Sequence, residues 1–149
     1  MTIETPFGPV HAAVNAEGAL TELKFGPSEG NGNRAGNSAV ARQLSEYFAG
    51  KRKTFELPLA PDGTEFQKRV WAELARIPFG ETISYAELAR RVGSDGAARA
   101  VGRANATNPI AIVVPCHRVI GADGSLTGYA YGVEMKRSLL DFERGQARL

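Results

Sequence analysis

The chain has 149 residues, 43% of them apolar, and a formal net charge of +2, enough for one ordinary domain or two small ones with a real core. Its longest unbroken apolar run, Ile110 to Val114, is far too short to cross a bilayer, and the opening residues show no basic region followed by an apolar stretch, so a cytoplasmic protein without membrane contact is expected. One cysteine, Cys116, excludes an internal disulfide, and with only His11 and His117 beside it the chain lacks a four-ligand Cys/His zinc set; no metal is expected.

The first third reads as strands and turns. Two Pro/Gly breaks interrupt "TIETPFGPVHAAV", "NAEG" is a turn, and "ALTELKF" follows it, which together suggest a small antiparallel sheet. The stretch "GPSEGNGNRAGNS" has too few apolar groups to offset its ordering entropy and reads as a mobile loop. Val40, Leu44, Tyr47 and Phe48 then share one helical face, up to a stop at Gly50. The turn from Pro61 to Gly63 is the candidate boundary between an N-terminal domain, 1–62, and a C-terminal domain, 63–149.

The second part is helical. Thr64 is placed to cap a helix whose Phe66, Val70 and Leu74 repeat every four residues, with Trp71 on the adjoining face and Pro78 forbidding continuation. "SYAE", Ser84 to Glu87, has the form of a capping box, and Leu88 with Val92 supplies a buried stripe before Gly93. In "AARAVGRANATN", Ala97, Val101 and Ala104 face a core, leaving Arg99, Gly102, Arg103 and Ala106 outside. Two short helices joined by a Gly turn, the second basic, form a helix-turn-helix candidate. Residues 63–149 carry 12 basic and 9 acidic side chains, against 6 and 7 in residues 1–62, a local basic field that fits a polyanion partner and equally a solvated helix face.

Ile110 to Val114, apolar and β-branched between Pro109 and Pro115, reads as a buried strand that delivers Cys116 to its end. The last helix, roughly Val133 to Arg144, sets Glu143 on the same face as Leu139 and Leu140, and a buried carboxylate needs a partner.

A thiol is a good nucleophile only as the thiolate, and His117 is the nearest base in sequence. Adjacent residues of an extended chain point to opposite sides, so either the backbone turns at Cys116 or a water links the two. Glu143 can complete a Cys/His/Glu relay by fixing the imidazole tautomer; it can equally pair with Arg118 or Lys136 as a structural ion pair. Residue types alone leave both open.

"PCHRVI", preceded by "NPIAIVV" and followed by "GYAYG…K…LL…E", closely resembles the O6-alkylguanine-DNA alkyltransferase family. "FQKRVWAELARIPFGETISYAELA" and "ARAVGRANATNP" are similar to that family's DNA-binding core, so the likeness covers residues 64 to 145. It implies an α/β (α+β) protein: a small N-terminal antiparallel sheet with a helix, ribonuclease H-like in the family, and a helical C-terminal domain with a winged-helix-like helix-turn-helix carrying the reactive cysteine. It also implies irreversible transfer of the alkyl group from O6-alkylguanine, chiefly O6-methylguanine, to Cys116, without a cofactor. His117 is then the base acting through a water, Glu143 its orienting group, and Asn108 the brace of the active-site turn. Tyr85 helps rotate the target nucleotide, Arg99 fills its place in the stack, and Arg103 adds to the DNA-binding face. Val119, Tyr129 and the backbone at Ala130 line the guanine pocket. The implied partner is double-stranded DNA entered from the minor groove by a monomer able to cluster along it. Thr127 and Tyr131 stand where relatives often have smaller residues, and Ala111 where some have proline. Two competing readings are a lesion-binding relative without transfer, whose kind typically replaces the cysteine, and an unrelated cysteine hydrolase.

Overall fold

The computed structural model describes residues 2–26, 34–94, 96–126 and 128–147. It is a mixed α/β structure whose contacts fall into two compact units: residues 1–62 with Pro109–Val113, and Gly63–Asn108 with Val114–Leu149.

The first unit is built on an antiparallel meander, β1 (Thr2–Thr5), β2 (Gly8–Val14) and β3 (Leu20–Phe25), in that spatial order. Thr2 pairs with His11 and Val10 with Phe25. Asn15 makes the β2–β3 turn by accepting the backbone amides of Glu17 and Ala19 at its side-chain oxygen. Helix α1 (Arg34–Phe48) packs on β1 and β2 and contributes the buried Val40, Leu44 and Tyr47 to a core shared with Val10, Ala12, Leu20 and Leu23. It begins inside the stretch expected to be a loop. Residues 27–33 of that stretch lie outside the described residues. Gln43, also buried, clamps the chain after the helix by donating to the Glu56 carbonyl at 3.1 Å and accepting the Glu56 amide at 2.8 Å.

The strand expected over Ile110 to Val114 does not form. Pro109 and Ala111 bond to both sides of Leu23, making a single parallel bridge at Ile110. The Val113 amide then donates back to the Ala111 carbonyl at 2.7 Å around Ile112, whose φ is 70°. That is a γ-turn of the rare, strained kind, and a β-branched residue occupies it only because the contacts on either side outweigh its extended preference.

In the second unit, α2 (Glu65–Leu74) opens with a complete capping box: Thr64 accepts the Gln67 amide, and the Gln67 side chain accepts that of Thr64. Strand β4 (Ile83–Ser84) leads into α3 (Tyr85–Arg91). Here only the serine half of the expected box forms, because the Glu87 carboxylate is taken up by Arg90 and Arg91. The chain turns at Gly93, φ 76°, into α4 (Ala98–Ala106), completing the helix-turn-helix; Asp95 lies outside the described residues. Trp71 of α2 ties onto α4 by donating to the Ala104 carbonyl at 2.8 Å. A short 3-10 helix (Cys116–Arg118) runs into β5 (Val119–Ile120), which pairs in parallel with β4, and α5 (Val133–Ala147) closes the unit. No helix among the described residues is long and apolar enough to cross a membrane.

Candidate active site

The site grows from two successive tight turns. Pro115, with φ −82° and ψ 67°, sits at the centre of an inverse γ-turn closed by the Cys116 amide on the Val114 carbonyl at 2.8 Å. Proline's ring already fixes φ near that value, so the turn is preset by sequence. The 3-10 helix follows at once, its Arg118 amide bonding Pro115 and its Val119 amide bonding Cys116. The backbone therefore turns at Cys116 and does not run extended.

Cys116 is 5% exposed. Burial pushes its thiol up; a hydrogen bond from Asn108 and the positive charge of Lys136 pull part of that back. Asn108 also donates to the Val114 carbonyl at 2.7 Å, so one amide serves both the turn and the sulfur. At rest the group is a thiol, and a base is required.

His117 is fully buried, with Nε2 at 2.9 Å from Oε2 of Glu143. A carboxylate can only accept, so the proton sits on Nε2 and Nδ1 keeps a free lone pair. Nδ1 has no hydrogen-bond partner among the described residues. Burial lowers the imidazole's pKa, the Glu143 bond raises it, and Arg118 and Lys136 lower it further; the net direction is down. His117 is thus a neutral base at neutral pH.

Glu143 serves His117 and Arg118 together. Arg118 donates Nε to Oε1 and Nη2 to Oε2, both at 2.8 Å, and turns Nη1 to the Ile77 carbonyl at 2.7 Å. Burial alone would raise the Glu143 carboxyl, but the bonds from His117 and Arg118 outweigh it and hold it far below the usual carboxylate range. The forked geometry is the kind for which arginine, unlike lysine, is suited.

Lys136 enters from the start of the α5 stripe that continues through Leu139, Leu140 and Glu143. It is 0% exposed, its ammonium lies 5.7 Å from the centre of the Tyr85 ring, and burial pulls its pKa down from 10.5 to about 8, against the opposing pull of the Cys116 sulfur. Tyr85, the first residue of α3, is raised by burial and by the same sulfur. A Cβ on Gly128, φ 74°, would come within 2.9 Å of the Tyr85 hydroxyl, so only glycine leaves that ring its place.

Arg99 and Arg103 are exposed and line an open groove of about 510 Å³ with Tyr85, Ala98, Gly102, Ala106 and Gly128. Val119 is buried where the 3-10 helix meets β5; Tyr129 is buried against Tyr131 with ring centres 5.5 Å apart; Ala130 is exposed. Thr127 lies outside the described residues. The structure thus joins Cys116, His117, Glu143 and Asn108 in one cluster with Tyr85, and carries Arg99 and Arg103 on the neighbouring open face. Sequence reasoning named Lys136 only as a possible ion-pair partner of Glu143, a place that Arg118 takes, and passed over Asn105. The signal for Lys136 was its spacing of three and four from Leu139 and Leu140, which puts a cation on a buried stripe. Among the described residues, no group of three or more His, Cys, Asp or Glu side chains is arranged to hold a metal ion.

Residues 1–61 match the family described as 6-O-methylguanine DNA methyltransferase, ribonuclease-like domain, and residues 65–145 match its DNA binding domain. The methylated-DNA–protein-cysteine methyltransferase of Methanosarcina barkeri is 49% identical over 98% of this chain and 97% of its own; that of Mycobacterium tuberculosis is 47% identical over 98% and 92%. The crystal structure of Mycobacterium tuberculosis OGT in complex with DNA superposes with a TM-score of 0.90, at 47% identity over 97% and 92% of the two chains. Fold and matches together define a DNA-binding protein of the O6-alkylguanine alkyltransferase class. The chain belongs to the methylated-DNA–protein-cysteine methyltransferase family.

Proposed function

We propose that this protein repairs duplex DNA by moving the alkyl group of O6-alkylguanine, chiefly O6-methylguanine, onto its own Cys116. The observation that carries the reading is the buried chain Cys116, His117, Glu143 and Arg118, set directly behind a helix-turn-helix in a member of this family.

The geometry supports a definite sequence of events. A stacked guanine cannot present O6 to an enclosed thiol, so the nucleotide must leave the helix, which costs a few kcal/mol of stacking and pairing. Arg99 and Arg103 hold the duplex from the minor-groove side. Arg99 fills the gap in the stack while Tyr85, at the mouth of the groove, turns the nucleotide inward. Val119, Tyr129 and the backbone at Ala130 receive the base. The free Nδ1 lone pair of His117 takes the Cys116 proton through a water, Glu143 steadies the imidazolium that results, and the buried charge of Lys136 favours the thiolate. The sulfur attacks the alkyl carbon, an S–C bond forms, the C–O6 bond breaks, and its electron pair returns to the guanine, which regains the proton lost by the thiol. The product is a thioether, which water does not cleave, so each molecule acts once.

In this reading residues 63–149 form the DNA-binding and acceptor domain, residues 1–62 an N-terminal α/β domain, and the protein works in the cytoplasm. Incubation with a methylated duplex followed by peptide mass measurement is expected to show one added methyl on the Cys116 peptide and no second turnover. An unmodified cysteine under reducing conditions, or repeated turnover on an ester or amide, would overturn it.

A further inference from the structure

Helix α4 buries Val101, Ala104 and Asn105. An amide breaks the pattern of that stripe, and Asn105 is 1% exposed. Its Nδ2 donates to the Cys116 carbonyl at 3.4 Å, the same oxygen that takes the Val119 amide and closes the 3-10 helix. Its Oδ1 accepts no hydrogen bond among the described residues. Enclosing an acceptor without a donor costs about 1–3 kcal/mol, a penalty that an apolar side chain of similar size avoids. Asparagine is therefore a poor choice for stability at this position, and departures from the apolar pattern concentrate where function is served.

We propose that Asn105 is a positioning residue for the transfer step, bracing from α4 the single 3-10 turn that aims Cys116 and His117. Asn108, three residues further on, grips the same backbone from the other side of Pro115: it takes the Val114 carbonyl, Asn105 the Cys116 carbonyl. Two amides thus fix residues 114 and 116, between which the inverse γ-turn is formed. The thiol's direction of attack follows from that backbone, and misplacement by about 1 Å can lower a rate by about 10²-fold.

The inference rests on Cys116 being the alkyl acceptor. The test is Asn105→Leu in the full chain, with four readouts: affinity for a lesion duplex, single-turnover transfer from that duplex, transfer from free O6-benzylguanine, and the melting temperature. Transfer is expected to slow by about tenfold or more on both substrates. Duplex affinity is expected to stay within about twofold, since Arg99 and Arg103 are untouched, and the melting temperature to hold or rise. Asn105→Ala, which leaves a cavity in place of a bulkier side chain, carries the same rate expectation. A transfer rate unchanged in both variants, or a slowdown that only follows a fall in melting temperature, would overturn the role. Uptake by the unsubstituted protein separates the two readings. If it gains no alkyl group, the assignment of Cys116 fails; if it does and the variants match it, the role of Asn105 alone fails.

Discussion

The two units bury polar groups in opposite ways. In the first, Gln43 is a neutral amide whose oxygen and nitrogen both bond to Glu56, so each of its two polar atoms has a partner. In the second, His117, Arg118, Lys136 and Glu143 are enclosed together, and Nδ1 of His117 and Oδ1 of Asn105 are left without hydrogen bonds from the described residues. Neutral, satisfied polarity steadies a core; enclosed charge is worth less for stability than apolar packing of the same volume. The contrast separates a clamp from the proposed reactive site without reference to any motif.

Substitutions can test that contrast. Glu143→Gln is expected to do most, because it strands the buried Arg118 guanidinium and frees His117 at once: a loss of about 3 kcal/mol or more in stability and a fall in transfer of about 10²-fold or more, read by denaturant unfolding and single-turnover kinetics.

Lys136→Met should divide the two properties. The folded-state pKa is about 8, below the ordinary 10.5, so the charged lysine opposes folding by about 3 kcal/mol below pH 8, and this burden fades as pH rises toward 10.5. The variant is expected to be more stable at pH 7, to lose that advantage between pH 8 and 10.5, and to transfer more slowly because the thiolate lacks its neighbouring charge. A stability difference that does not change over that pH range would contradict the buried charge.

Gln43→Leu should do the converse. Two backbone groups of Glu56 lose their partners, which costs about 1–3 kcal/mol, while the transfer rate stays as it was. Thr64→Ala, at the cap of α2, is the smallest: about 1 kcal/mol by thermal melting, again without effect on the chemistry.

Much of this architecture was legible in the chain. Apolar spacing of four located α2 and the face of α1, and thiol chemistry offered a Cys/His/Glu relay as one of two readings of Glu143, which the family resemblance then favoured. The failures have local causes. Ile110 to Val114 has strand composition, but only Ile110 finds a bridge, and the γ-turn at Ile112 answers to contacts distant in sequence that a window of neighbours does not contain. The start of α1 at Arg34 was hidden because its first residues are Gly-, Asn- and Ser-rich, and packing of the later turns supports the helix in spite of them. Residue types left Glu143 between His117 and an ion pair with Arg118 or Lys136, and no rule of spacing foretells that one carboxylate holds both His117 and Arg118. Asn105 stands four residues after Val101 on the buried stripe, but its spacing does not reveal the Cys116 carbonyl that it meets.

The bridge at Ile110 bears on how the gene can be cut. Because Pro109–Val113 completes the edge of β3, a fragment starting at Gly63 would carry with it three buried apolar residues, Ile110, Ala111 and Ile112, that belong to the missing piece, while a fragment ending at Asp62 would leave the Leu23 backbone groups open. Bare edges of that kind invite pairing with other chains. The two units are interleaved along the polypeptide, so an exchange of halves between relatives keeps its seams closed only if this five-residue insert travels with the N-terminal half.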